Sequence, residues 1–417
     1  MFSREEYNRK KIAPADLLGM IRPGNRIFLS SGATPARALK EILSSGKHAS
    51  YDLEFIQLFS GHDFFSGSSC GSAGHRLVSF KTGEIQASEE CRDRFDYIPS
   101  NQLEIPYIFA TGAVTVDIAI ITTSPPDERG YMSLGIAVDV AAIVMRRAAI
   151  VIAEVNANMP ATYGETSVHA DQFHHILESD EPLPVREQLP FGQELDRVGW
   201  HIANLIPDGS TVVLHAGRLF DAVASHLTTK KNLGVYTNVV SDWVIELIES
   251  GAVALDRDRD RGGQVTTSYC YGTRRLYDYV RNNQLFAFYP AAKIADPSKM
   301  RMIPNLISIM NVETIDITAA SVVFRSGDDL LSGYESKFNF AVGTAFSGGG
   351  RVIYALRSVD SQGNSTIVVS HGRDNARLRS TLGVIRYVVT EYGIASLFGK
   401  PLRERALALI DIAHPDH

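Results

Sequence analysis

Residues 116–127, VDIAIITTSPPD, join an apolar run rich in β-branched residues directly to a Pro-rich turn. The same order recurs at 26–35 (RIFLSSGATP) and at 148–160 (AAIVIAEVNANMP). Stretches with helical character, such as 36–43, separate these runs. Apolar strands that alternate with helices are typical of a parallel sheet covered on both faces. The sequence therefore predicts an α/β fold.

A second part of the chain repeats this plan after a Pro-rich segment at 179–190. Between residues 194 and 227, a helical stretch, a Pro-Asp-Gly turn, a strand and another helical stretch follow one another. Any α/β chain can reuse such turns, but the shared order favours two tandem, similar open α/β domains, 1–188 and 189–417. Ligands of open α/β sheets bind beyond the carboxyl ends of the strands, so we expect the active site at the domain junction.

The composition excludes several classes of protein. The 417 residues include 41 Lys+Arg and 47 Asp+Glu, a net charge of −6, which gives no basic footprint for nucleic acid. The three cysteines are too few and too scattered for a disulfide framework, and no Cys/His spacing typical of a metal site occurs. No uncharged apolar run reaches the length of a membrane span, and the N-terminus is charged. We expect a cytoplasmic protein without a metal.

Several loop motifs are more specific than this general pattern. They are SPPDERGYMSLG (124–135), VNANMPATYG (155–164), YVVTEYG (387–393) and AHPD (413–416). Together they resemble the acetyl-CoA hydrolase/transferase family, which includes 4-hydroxybutyrate and butyrate:acetate CoA-transferases. The resemblance implies two domains of CoA-transferase type, coenzyme A bound as an acyl-CoA substrate, a small-molecule acceptor and a homodimer or larger assembly.

One departure from the family pattern affects the reaction itself. In this family a glutamate in a His-Thr-Glu-like segment attacks the acyl-CoA and becomes a glutamyl-CoA thioester. The matching segment here is 236–243, YTNVVSDW, and Asn238 stands where the glutamate is expected. In the family the route to this thioester passes through a mixed anhydride of the glutamate and the acyl group. A carboxamide cannot form such an anhydride, but it can donate a hydrogen bond to a developing oxyanion.

Other departures fall on loops that the family uses for the same site. The family's Gly-x-Gly-x-x-Pro turn is 215–220, HAGRLF, where His215 and Phe220 replace the first glycine and the proline. The loop that usually contains Gly-Gly-Gln is 333–340, GYESKFNF, which introduces Glu335 and Lys337. Since these new residues are largely polar and titratable, we expect a changed reaction rather than simple decay of the site.

The first hypothesis is direct acyl transfer or hydrolysis of a bound acyl-CoA, without a covalent intermediate on the enzyme. An imidazole titrates near neutral pH, so His215 suits a general base. Asn238 then stabilises the oxyanion, and Glu335 orients the histidine or polarises the acceptor. A second hypothesis is conventional CoA transfer with Glu335 as the carboxylate carrier. A third is a non-catalytic acyl-CoA-binding homologue.

Each of these residues also has a structural interpretation. His215 could be an ordinary loop histidine, Asn238 a turn residue, and Glu335 with Lys337 a solvated pair. Cys70, in a Gly/Ser-rich segment, is a further but less favoured nucleophile, and 256–261 (DRDRDR) is expected to be a solvated turn. The resemblance and the loop positions predict these residues to bind substrate or CoA: Gly217, Phe220, Trp243, Lys337, Gly343, Gly348, Gly349, Met159 and Pro160. Phe220 and Trp243 replace smaller residues, which favours an acceptor other than acetate.

Overall fold

The computed structural model of the chain describes residues 3–32, 36–44, 51–58, 74–80, 94–254, 264–324, 334–371, 378–380 and 383–417. Cys70 and residues 256–261 lie outside this description, as does the side chain of Glu335. The chain forms two compact units, Met1–Arg186 with Thr267–Lys293, and Glu187–Thr266 with Ile294–His417. The predicted boundary at 188/189 lies two residues after Arg186, where the chain first passes from one unit to the other. The sequence analysis did not predict that Thr267–Lys293 returns to the first unit.

The elements are numbered in chain order. The strands are β1 (Arg26–Leu29), β2 (Glu54–Gln57), β3 (Arg76–Ser79), β4 (Phe95–Tyr97), β5 (Ile118–Thr123), β6 (Tyr131–Ser133), β7 (Ile150–Asn156), β8 (Ser167–His169), β9 (His175–Ser179), β10 (Thr211–Val213), β11 (Gly234–Val235), β12 (Val239–Val240), β13 (Val265–Thr267), β14 (Tyr269–Cys270), β15 (Phe286–Phe288), β16 (Leu306–Asp316), β17 (Ser321–Phe324), β18 (Arg351–Ala355), β19 (Ile367–Val368), β20 (Leu378–Ser380), β21 (Tyr387–Thr390) and β22 (Gly393–Ser396). The helices are α1 (Arg4–Arg9), α2 (Pro14–Met20), α3 (Ala36–Ser44), α4 (Ile105–Thr111), α5 (Ala141–Met145), α6 (Gln193–Asn204), α7 (Arg218–Leu227), α8 (Trp243–Glu249), α9 (Arg274–Val280), α10 (Ala291–Ile294), α11 (Pro297–Met300), α12 (Tyr334–Ala345) and α13 (Leu402–Ile410).

The first unit contains a seven-stranded sheet in the order β4-β3-β2-β1-β5-β7-β9, parallel throughout. All six residues of β5 are buried, which explains why residues 118–123 are apolar or small rather than alternating. From β1 the strands β2, β3 and β4 are added on one side of the sheet, and from β5 the strands β7 and β9 are added on the other side. The β1–β5 pair is therefore the topological switch point. The predicted α/β fold is confirmed.

The segment 267–293 is joined to the first unit by backbone hydrogen bonds. The amide of Phe288 donates to the carbonyl of Tyr163 at 2.8 Å, and the amide of Glu165 donates to the carbonyl of Phe288 at 2.8 Å. Gly164 lies between them with φ +114°, and a Cβ there would stand 2.1 Å from the Phe288 carbonyl oxygen. Only glycine permits this approach.

The second unit contains a sheet in the order β11-β10-β16-β18-β21-β22. The first five of these strands are parallel, and β22 is antiparallel to β21. Strands β17, β19 and β20 extend the sheet along the far part of β16. The second unit is therefore also an α/β domain with a largely parallel sheet, as the sequence predicted.

Helices of the second unit bury apolar faces in the same core. In α7 seven of the ten residues are buried, and α6 packs beside it. Gly199 of α6 permits the contact, because a Cβ there would lie 2.5 Å from the Ala222 carbonyl oxygen. Across the described ranges, no helix combines the length and apolar character that crossing a membrane requires.

Candidate active site

Two segments that follow neighbouring strands of the second unit carry His215 and Asn238. Strands β10 and β11 are parallel partners, so both segments leave the sheet at its carboxyl edge. The Thr237 hydroxyl donates to the Leu214 carbonyl at 2.5 Å, and the Trp243 indole N–H donates to the His215 carbonyl at 2.8 Å. These two hydrogen bonds hold the segments side by side. Convergence of the His215 and Asn238 side chains stays a prediction.

The imidazole of His215 is enclosed by aromatic rings. It meets Phe220 edge-on at a centroid distance of 5.4 Å and Phe340 at 5.9 Å, and only 1% of the residue is exposed. Phe220 and Trp243 are themselves fully buried. Both residues, which were predicted to bind substrate or CoA, contact His215: Phe220 touches the imidazole with its ring, and Trp243 donates a hydrogen bond to the backbone carbonyl. Their contact with a substrate stays a prediction.

Gly217 permits the sharp start of α7. Its φ of 142° lies in the region that favours glycine, and it is the N-cap residue of the helix. The predicted role of Gly217 in substrate binding stays a prediction, since its backbone conformation already accounts for glycine.

Asp221, which the sequence analysis missed, lies in the first turn of α7 and is 3% exposed. The N-terminal end of a helix stabilises negative charge. An acidic residue inside the otherwise apolar stretch 219–224 was the signal that could have identified it. Asp221 adds a carboxylate close in sequence to His215.

The segment 333–340 was treated as a loop, but α12 begins at Tyr334. After Gly333 the segment contains no glycine or proline, so nothing in it opposes a helix. Lys337 and Phe340 are three residues apart and share a helix face, and Phe340 contacts the His215 ring. Lys337 is 2% exposed, so its interpretation as half of a solvated pair is wrong.

The predicted CoA-binding glycines lie in the second unit, and each has a packing or backbone role there. A Cβ on Gly343 would stand 2.7 Å from the Met300 Cβ, so this glycine permits α12 to approach α11. The Gly348 carbonyl accepts a hydrogen bond from the Asn305 amide at 2.8 Å, and Gly349 adopts φ +77°. Since Asn305 and Gly349 precede β16 and β18, both lie at the amino edge, opposite His215. The CoA contacts of all three glycines stay predictions.

Met159 and Pro160 follow β7 in the first unit and are buried. A Cβ on Gly135 would stand 2.0 Å from the Met159 sulfur, so Met159 packs closely against this glycine in the interior. Their predicted contact with substrate stays a prediction.

Two buried carboxylates at the carboxyl edge of the first unit were also missed. Asp139 accepts hydrogen bonds from the amides of Ser31 (3.2 Å) and Ala141 (2.9 Å), and Glu154 accepts from those of Arg37 (3.1 Å) and Ala38 (2.8 Å). Burial raises the pKa of both carboxyls, while these hydrogen bonds lower it.

Glu154 stands inside an apolar strand and Asp139 between valines, and this was the available signal. Within the described ranges, no group of three or more potential ligands could hold a metal ion.

Comparison with known proteins gives the family. Residues 1–187 match the acetyl-CoA hydrolase/transferase N-terminal domain, and residues 272–417 match the C-terminal domain. The chain is 35% identical over 407 residues to a succinyl-CoA:acetate/propanoyl-CoA:succinate CoA transferase of Fasciola hepatica, covering 96% of this chain and 84% of the relative. It is 34% identical over 322 residues to a 4-hydroxybutyrate coenzyme A transferase of Clostridium kluyveri, with 77% and 75% covered.

Solved structures agree with this. The crystal structure of RipA from Yersinia pestis matches with a TM-score of 0.87 and 26% identity, covering 100% of this chain and 97% of that one. A 4-hydroxybutyrate CoA-transferase from Porphyromonas gingivalis matches with a TM-score of 0.78 and 28% identity, covering 99% and 96%. The resemblance carried by the loop motifs is confirmed, and with it the CoA-transferase-type fold and an acyl-CoA substrate. This chain belongs to the acetyl-CoA hydrolase/transferase family and is an acyl-CoA-using enzyme.

Proposed function

We propose that this enzyme transfers the acyl group of an acyl-CoA directly to a small-molecule acceptor or to water. His215 acts as the general base, and Asn238 donates a hydrogen bond to the thioester oxyanion. The observation that carries the proposal is the pair of hydrogen bonds from Thr237 and Trp243, which joins the segments carrying these two residues.

The proposed step conserves atoms and charge. The acceptor X–H attacks the thioester carbonyl, and its proton passes to the imidazole of His215. The carbonyl oxygen becomes an oxyanion that accepts a hydrogen bond from the Asn238 carboxamide. The C–S bond then breaks, the imidazolium returns its proton to the CoA sulfur, and the products are acyl-X and CoA thiol.

The surroundings of His215 favour an acceptor other than bulk water. The Phe220 and Phe340 rings cover the imidazole, and both His215 and Asn238 are 1% exposed. An acceptor with an apolar part can displace aromatic side chains and compensate their contacts, whereas water cannot. We therefore expect transfer to exceed hydrolysis.

A second candidate is CoA transfer between carboxylic acids, the activity named for the relatives of Fasciola hepatica and Clostridium kluyveri. This reaction needs a carboxylate that carries CoA as a thioester. Glu335 was the sequence-based candidate. A further candidate carrier is Asp221, which is buried in the first turn of α7, the helix that begins just after Gly217. Its burial close in sequence to His215 is the observation that favours this second function.

One experiment separates the two reactions. The full chain is incubated with butyryl-CoA or succinyl-CoA and a panel of amine, alcohol and carboxylate acceptors, followed by borohydride and intact-mass measurement. Direct transfer predicts release of CoA thiol, an acylated acceptor and no protein adduct. A CoA thioester on a protein carboxylate contradicts direct transfer and supports the second candidate. Binding of acyl-CoA without turnover of any acceptor contradicts both.

The Asn238→Glu variant tests the same point from the other side. Restoring a carboxylate at this position should produce a borohydride-sensitive adduct that the wild-type protein lacks. Asn204→Glu, on the exposed part of α6, is the matched control and should produce none. An equal adduct in all three proteins would place the carrier elsewhere.

A further inference from the structure

A cavity of about 600 Å³ opens in the first unit, and we call it the α1 cavity. Its walls come from α1 and the residue Lys11, from Arg37 in α3, and from the segments that follow or end β5, β7 and β9. The carboxyl ends of these parallel strands, close to the switch point between β1 and β5, are where open α/β sheets bind ligands. All of these residues belong to one compact unit.

The α1 cavity presents guanidinium groups that an anion can recruit. Arg4 has no ion-pair partner in the part of the chain that the structure describes. Arg37 stands 3.7 Å from Asp180, whose side chain is 86% exposed, so this ion pair is long and solvated and costs little to exchange. Guanidinium groups bind phosphate through two parallel hydrogen bonds.

Glu154 holds Arg37 in place without neutralising its side chain. The Glu154 carboxylate accepts hydrogen bonds from the backbone amides of Arg37 and Ala38, which fixes the first turn of α3. Because these bonds involve only the Arg37 backbone, its guanidinium remains able to turn toward the cavity.

The other walls suit the remainder of a nucleotide. Pro125 and Pro126 offer an apolar surface for a planar ring, and Glu178 and Asp180 can accept hydrogen bonds from sugar hydroxyls. Burial and the charge of Glu178 raise the pKa of the Tyr7 hydroxyl to about 12, so Tyr7 keeps its proton and adds no negative charge to the cavity. The volume lies within the range of about 300–1,000 Å³ that ligand sites occupy, and a lone phosphate would fill little of it.

We propose that the α1 cavity binds a nucleoside phosphate, with Arg4 and Arg37 on the phosphates and the Pro125–Pro126 surface against the base. The nucleoside phosphate could be free in solution or be the nucleotide part of coenzyme A. The chemistry recognised is the same in both cases, and the experiment below separates them.

The test measures binding to the full chain by isothermal titration calorimetry. The probes are ADP, adenosine, inorganic phosphate and CoA. ADP should bind, and both adenosine and inorganic phosphate should bind at least about tenfold more weakly, since each supplies only part of the contacts. Absence of ADP binding at millimolar concentration overturns the proposal. The proposal is also overturned if inorganic phosphate binds as tightly as ADP, since the cavity would then recognise only the phosphate group and not the nucleoside.

Variants locate the site. Replacing both arginines, Arg4→Ala with Arg37→Ala, should weaken ADP at least tenfold, while Arg403→Ala on the exposed face of α13 should have no effect. Ala157→Trp fills the cavity from an exposed position and should weaken ADP without removing a charge. Unchanged ADP affinity in correctly folded double and Ala157→Trp variants overturns the proposal.

CoA identifies the source of the nucleotide. If ADP competes with CoA and the double variant weakens both, the cavity holds the nucleotide of coenzyme A. If ADP binds in the cavity and the variant leaves CoA affinity unchanged, the ligand is a free nucleotide. Because every readout is binding, the result does not depend on the proposed acyl transfer.

Discussion

The carboxyl edges of the two parallel sheets hold buried polar side chains in different ways. In the first unit, Asp139 and Glu154 accept hydrogen bonds from backbone amides at the starts of neighbouring segments. In the second unit, the hydrogen bonds at the edge come from Thr237 and Trp243 and reach backbone carbonyls, while aromatic rings contact His215. The first arrangement uses carboxyl side chains to fix the backbone. In the second arrangement the Thr237 and Trp243 side chains fix the backbone, and the His215 imidazole and the Asn238 carboxamide are the groups that we propose for the chemistry.

The largest expected effect comes from His215→Gln, which keeps a polar side chain but removes the base. Acyl-acceptor formation should fall by about 10²–10⁴-fold, the usual contribution of a general base. The measurement is kcat/KM with the best acceptor from the panel.

Phe220→Leu is the matched control, since it disturbs the same packing and keeps the imidazole. It should lose much less activity than His215→Gln at comparable thermal stability. Equal losses in the two variants would mean that His215 matters only for packing, and the contrast between the two edges would disappear.

Glu154→Ala tests whether the first edge is structural. The change leaves the Arg37 and Ala38 amides without their acceptor and creates a cavity, so the free energy of unfolding should fall by about 2–4 kcal/mol. Urea denaturation measures it. Glu178→Ala, on the adjacent strand β9, removes an exposed glutamate paired with Lys11 and should cost less than about 1 kcal/mol. Similar costs for the two variants would refute the structural role.

Gly343→Ala distinguishes helix packing from ligand contact. The new methyl group would crowd Met300, and overpacking of this kind costs about 1–3 kcal/mol of unfolding free energy. Affinity for CoA, measured below the melting temperature, should stay unchanged. Weakened CoA binding with unaltered stability would instead support the sequence-based assignment of Gly343 to the CoA site.

The smallest effect concerns pH. Burial raises the pKa of Asp139, so the folded chain binds its proton more tightly than the unfolded chain does. This stabilising contribution is complete below the unfolded pKa of about 3.9 and is lost as pH rises through the higher folded pKa. The unfolding free energy of the wild type should therefore decrease with pH relative to Asp139→Asn. A difference that stays constant from about pH 4 to pH 8 would contradict this.

Local patterns were sufficient to predict the architecture. Residues 118–123 form a strand buried on both faces, as their apolar and β-branched character predicts, and the turn motifs were sufficient to identify the family. These features depend on neighbours in the sequence, and for that reason they can be read from the sequence alone.

The parts that escaped prediction depend on distant partners. Asp221 and Glu154 stand out in the sequence as acidic residues in apolar stretches, but only the fold shows that both are buried. Gly343 and Gly349 were assigned to ligand binding because glycines permit close approach, but a sequence does not say which atoms approach. In the structure the atoms near these two glycines belong to Met300 and Asn305, and contact of either glycine with a ligand stays a prediction.

The return of residues 267–293 to the first unit has a consequence for how the chain is made. The ribosome delivers Met1–Arg186 first, yet the partners of its Tyr163, Glu165 and Arg186 backbone groups, Phe288 and Gly272, are still to be synthesised. During translation these backbone groups of the nascent first unit lack their partners until residues 187–293 have been synthesised. A gene fragment that ends at Arg186 would encode the first unit without these hydrogen-bond partners.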